Sequence, residues 1–155
     1  MTDPSIDELR AAFPTTPLDA DRVFYMYSDA ELCERCVSGK RWDEVDPRVL
    51  ANRSDALAFL DHERFLSWLP AYLNLLEFVD PLYSTVPETL FRRLMRPDPE
   101  KASSRKVRLF DESMNPLTSA QRRVVAHSLE RFIARVPGLA NDARCALERY
   151  WAAFA

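Results

Sequence analysis

Apolar residues recur every three or four positions through most of this chain, and that spacing predicts helices. Ile6, Leu9 and Phe13 share one face of a first helix, which Pro14 and Pro17 end. Phe24 to Tyr27 is a short aromatic run that reads as extended. Ser28-Asp29-Ala30-Glu31 is a capping box, in which the Ser side chain accepts from a first-turn amide and the Glu reaches back. The helix it opens should reach about Ser38, with Gly39 as a left-handed stop. Asp46-Pro47 reads as a cap and first-turn proline opening a short helix. Asp61 caps the next helix, which carries Phe65, Leu66, Trp68, Leu69, Tyr72, Leu73, Leu75, Leu76 and Phe78. Those positions cover most of its circumference, so this is the expected central buried helix. Pro70 lacks a donor and should kink or split it.

Thr85-Val86-Pro87-Glu88 is a second box, leading to Leu90, Phe91, Leu94 and Met95. Arg96 to Pro116 reads as a long loop. Thr118-Ser119-Ala120-Gln121 is a third box, and its helix places Val125, Leu129, Phe132, Ile133 and Val136 on one face until Pro137-Gly138 breaks it. A last helix carries Ala143, Ala146, Leu147, Tyr150, Trp151 and Phe154. The expected fold is all-α, a single domain over residues 1–155 of about six helices around the Pro-kinked apolar one.

Composition sharpens this picture. A chain of 155 residues can bury about 70% of its unfolded surface, so it needs no metal or disulfide to fold. Only two glycines occur, which favours helices over glycine-rich turns and leaves no glycine-rich phosphate cradle. The N-terminus shows no secretory pattern. The most apolar stretch, Trp68 to Val79, is too short and polar to span a membrane. Three cysteines cannot all pair within one chain, so reduced thiols in a cytoplasm are expected.

Charge is uneven. The formal net is −3, but residues 1–63 carry 14 acids against 7 Lys/Arg and residues 64–155 carry 10 against 14. Asp43, Glu44 and Asp46 follow Trp42, and Asp19 and Asp21 precede Phe24. Asp at caps and turns is routine, yet an acidic face also suits a basic protein partner. Trp42, Asp43, Glu44 and Asp46 are therefore the candidate partner-binding residues. Arg92 to Arg108 holds seven Lys/Arg. It reads as a solvated loop, with no aromatic residue before Phe110 to stack on a single strand, so nucleic-acid binding is not expected.

Candidate chemistry is sparse. Cys33 and Cys36 have C-x-x-C spacing and share a helix face with Leu32 and Val37, so packing alone explains them. A redox dithiol would want its first Cys at the helix start. A structural zinc needs four ligands, and Cys33, Cys36, Cys145 and His127 are the available set for that weaker alternative. No cofactor is expected. The two histidines, His62 and His127, belong to no recognisable catalytic motif. A pocket around Trp68, Tyr72 and His127 is the alternative for an enzyme or ligand-binding protein.

Glu31, the G-K-x-W pattern of Gly39, Lys40 and Trp42, the segment ALAFLDHERFLSWLPAYL from Ala56 to Leu73, the Thr118–Gln121 box and the closing Tyr150-Trp151 together resemble an uncharacterised family of small soluble bacterial proteins. The likeness runs from about Phe13, and the L-P-A-Y segment is its most specific part. Members of this sort look similar to proteins encoded near secreted toxins. The resemblance implies an immunity or interaction role and supplies no catalytic residues. The expected function is a non-catalytic cytoplasmic protein-binding domain of immunity or adaptor type, with another protein, such as a basic toxin, as partner.

Overall fold

The computed structural model describes residues 4–20 and 30–155, with side chains described for 5–20 and 34–155. The extended reading of Phe24 to Tyr27, the Ser28 box, Asp21 and the side chain of Cys33 lie outside the described residues. Among those described, the chain is all-helical: nine α-helices, three short 3₁₀ turns and no strand. It groups into two compact units, Met1–Leu90 and Phe91–Ala155.

The first unit contains α1 (Pro4–Ala12), α2 (Ala30–Val37), α3 (Pro47–Ala51), α4 (Ser54–Phe59), α5 (His62–Leu76) and the start of α6 (Val86–Leu94). Helix α2 ends as its sequence requires. Gly39 sits at φ +75°, a left-handed conformation that side chains resist. Its N–H donates to Leu18 O (3.2 Å), and Leu18 N–H donates to Lys40 O (2.8 Å). That pair ties the Pro14–Ala20 segment to the turn after α2. Asp46 caps α3 by accepting from Arg48 N–H, and Asp61 caps α5 by accepting from Arg64 N–H.

Helix α5 is the buried element that its pattern predicts. Ten of its residues are buried, among them Phe65, Trp68, Leu69, Tyr72 and Leu73. It runs unbroken through Pro70, because burial on nearly every side outweighs the roughly 3 kcal/mol that an interior proline costs. Phe78 departs from expectation. It lies past the end of α5 and is 60% exposed, since the chain turns away at Glu77 before that ring can face inward.

The second unit holds the end of α6, then α7 (Ser104–Met114), α8 (Ser119–Arg135) and α9 (Asn141–Arg149), closed by a 3₁₀ turn at Trp151–Phe154. Thr118 and Gln121 form the expected box at the start of α8. Helix α8 packs against α9 and the closing turn. Phe91 meets Phe132 edge-on, with ring centroids 4.9 Å apart. Arg122 joins three segments, donating to Met114 O, Leu117 O and the Tyr150 hydroxyl.

The expected long loop from Arg96 to Pro116 is corrected by α7. Ser103 caps this helix, accepting from Lys106 N–H at 3.3 Å. Val107, Phe110 and Met114 make a stripe at helical spacing, with Phe110 and Met114 buried. Three apolar residues among so many charges leave only a faint period, which is why the pattern reads as a loop. Helix α4 likewise carries no start signal in the sequence: it is short, and its N-cap Arg53 makes no side-chain cap hydrogen bond.

Candidate functional site

The first unit carries an open groove of about 230 Å³ lined by Pro47, Ala51, Leu75, Phe78, Val79 and Tyr83, with Arg48 and Asp80 also on its lining. Its wall is the segment after α5. Val79 N–H donates to Leu75 O and Tyr83 N–H to Asp80 O, while Asp80 Oδ1 accepts from Leu82 N–H. The Ser84 hydroxyl donates to Ala51 O, fastening the same segment to the end of α3. Thr85, expected in a capping box, pairs its hydroxyl with Ser54 Oγ at 2.9 Å. This hydrogen-bonded turn leaves Phe78 60%, Leu82 71% and Tyr83 83% exposed. Three large apolar side chains within six positions, held outward by a stapled turn, are the most exposed apolar cluster of the described chain.

The candidate residues around Trp42 are brought together, with a different consequence from the one expected. Trp42 opens a 3₁₀ turn, Trp42–Glu44, that packs on α5, and its side chain is 1% exposed. A buried indole has no surface to offer a partner, so Trp42 is a core residue. Asp43 is held between two arginines: Arg10 Nε donates to Oδ2 at 3.0 Å and Arg41 Nε to Oδ1 at 3.1 Å. Its side chain is only 2% exposed. Glu44 accepts from Arg41 N–H. Asp46 receives a bidentate Arg48 guanidinium, whose side-chain hydrogen bonds, followed by the Arg48 backbone N–H, hold its carboxyl below the ordinary carboxylate value. All three acids are answered by the chain's own groups, because each lies at a cap or turn that an arginine reaches.

Trp68 and Tyr72 stack along α5 with centroids 6.4 Å apart, both fully buried. Trp68 Nε1 donates to Asp19 O at 3.2 Å and touches a polar cleft of about 260 Å³ with Asp19, Asp61, Glu63 and Arg64. Tyr72 and His127 are not among the residues of that cleft. Tyr72 belongs to the first unit and His127, half-buried on α8, to the second. Cys36 and Cys145 are free thiols, also one in each unit. Among the described residues, no three His, Cys, Asp or Glu side chains gather closely enough to hold a metal ion. No described helix is long and apolar enough to cross a membrane.

Of the groove's Phe78 and Tyr83 and the neighbouring Leu82, the sequence marks only Phe78, and as a core position of the central helix. A signal existed: Asp80-Pro81-Leu82-Tyr83-Ser84 places large apolar residues inside turn chemistry, where they have no helix face to bury them.

Fold and groove define an all-helical protein with exposed aromatic side chains beside an open groove on its first unit. The chain belongs to a family of unknown function (DUF6714), whose model matches residues 24–155. Comparison with curated proteins and with solved structures gave no match.

Proposed function

We propose that this protein is a non-catalytic protein-binding domain of the cytoplasm, of immunity or adaptor type, and that its first unit docks a basic partner. The observation that carries this reading is the exposed Phe78–Leu82–Tyr83 cluster beside the groove. Aromatic and apolar anchors set in a pocket supply most of the binding energy at protein interfaces, and exposed apolar patches mark such surfaces. Charge supplies the partner's chemistry. The first unit carries 17 Asp/Glu against 8 Lys/Arg, a formal net of −9. Such a field attracts a cationic protein and speeds its encounter. The fitting partner presents an apolar side chain to the groove and Lys/Arg around it, a description that a basic toxin meets. The docking edge thus moves from the Trp42 turn to the groove, and the acid-rich surroundings keep their steering role.

The test is capture of the partner on the tagged chain from its native cell, followed by titration of that purified partner. The pair Phe78→Ser and Tyr83→Ser should weaken binding at least about tenfold, the scale of losing central anchors, with the melting temperature unchanged. Undiminished binding by this double variant, or a captured partner that is itself acidic, would overturn the reading.

A further inference from the structure

We infer that the α7 end of the second unit binds the phosphate backbone of duplex nucleic acid, without sequence preference and independently of the groove. The end of the stretch that the sequence presents as a solvated loop is the start of helix α7, and the cations gather there and on the turn before it. Lys101, Arg105, Lys106 and Arg108 are all exposed within eight positions. Lys101 lies 3.9 Å from Asp98 and Arg108 lies 3.5 Å from Glu112, both loose surface pairs. Arg105 and Lys106 have no acid partner among the described residues.

The order of charge along α7 is the second observation. Its first turn holds no acid and its last turn no base, while Asp111 and Glu112 sit near its C-terminal end. A helix favours the opposite order, with acids at the positive N-terminal end of its dipole and bases at the other. Arg105 and Lys106 are exposed, unpaired and set against the dipole, so the fold gains nothing electrostatic from them. Local choices that conflict with the fold are expected where a site serves something outside the chain. The second unit as a whole carries 13 Lys/Arg against 7 acids, a net of +6. Screening within about 8 Å at physiological salt lets this local excess act despite the net negative chain.

The surface also selects among polyanions. Arg105 and Arg108 are three apart on a rigid helix and share a face. Leu109, 50% exposed, is the one large apolar side chain exposed on α7, because Phe110 and Met114 are buried within the unit. A membrane-lying helix needs a whole apolar face, which α7 has turned inward. Stacking on unpaired bases needs exposed aromatics, and α7 offers none. Closely spaced backbone phosphates, one charge per about 1.7 Å of duplex, need only exposed cations.

The experiment is fluorescence anisotropy of the full-length chain against a labelled random-sequence DNA duplex at several salt concentrations. Four engaged cations give a slope of log K on log salt near −3 to −4, or about a hundredfold loss between about 50 and 200 mM. The double variant Arg105→Glu, Lys106→Glu should lose most of the binding at low salt and roughly halve the slope. Its urea midpoint should stay or rise, since the reversal agrees with the helix dipole; this separates lost binding from lost folding. Poly-glutamate and phosphatidylserine vesicles are run alongside. No duplex binding at low salt, equal binding by the double variant, or tighter binding to either control than to DNA would overturn the inference.

Discussion

The indole N–H of Trp151 donates to the carbonyl of Leu94 at 2.7 Å in the buried core of the second unit. Leu94 is the last residue of α6, so this carbonyl is one of those that a helix end leaves without an internal partner. Trp151 therefore acts as a cap delivered from 57 residues away. The indole N–H of Trp42 is equally buried and has no hydrogen-bond partner among the described residues.

The two tryptophans should respond differently to phenylalanine. Trp151→Phe strands a buried carbonyl and should cost about 1–3 kcal/mol beyond its volume change. Trp42→Phe loses no hydrogen bond, so its cost should be the packing loss alone. Urea denaturation of both variants, compared at constant slope, checks the contrast.

Arg96 holds Asp111 with two hydrogen bonds of 2.8 Å. These bonds lower the carboxyl's pKa, against a smaller opposing effect of burial. A carboxyl lowered in the folded state adds stability that is fully present above its unfolded value, about 3.9, and is lost as pH falls through the folded value. Asp111 is 42% exposed, so solvent screening limits the pair to about 0.5–1 kcal/mol. Asp111→Asn should be destabilised by that amount at neutral pH and should converge on the wild type in acid. Denaturation midpoints at a series of pH values read this directly.

Arg105→Glu should stabilise the protein. A carboxylate in the first turn of α7 interacts with the helix dipole in the favourable sense, worth about 0.3–1 kcal/mol at low salt. Thermal melts at low and high salt should show a gain that shrinks as salt rises.

Gly39→Ala tests the left-handed stop after α2. A methyl group there meets nothing within 4 Å, so the cost comes from φ +75° alone. That conformation should cost about 1–2 kcal/mol for a residue with a Cβ. Gly39→Asn should recover part of it, because Asn tolerates the region better. Melting temperatures of the pair against the wild type decide this.

Phe78→Ser and Leu82→Ser should leave folding within about 0.5 kcal/mol of wild type, as surface substitutions usually do. They should also lower binding of a hydrophobic dye to the native protein. A large loss of stability instead would mean that these side chains pack in the folded state.

What the sequence determined by itself is local. The all-helical class, the Asp46, Asp61 and Thr118 caps, the Gly39 stop and the burial of α5 all rest on residues within one or two turns of one another. Their physics is contained in spacing and side-chain type. Helix α7 obeys the same rules, but three apolar positions among charges make too thin a stripe for the period to stand out, and its burial within the second unit is what reveals the helix. Tertiary structure alone decided the rest. Asp43 became a buried ion-pair centre because Arg10, 33 positions earlier, reaches it. Phe78 left the core because the chain turns at Glu77. The groove exists because Ser84 fastens its wall to Ala51, also 33 positions away. Such contacts join segments whose meeting depends on how whole helices pack, and no local period encodes them.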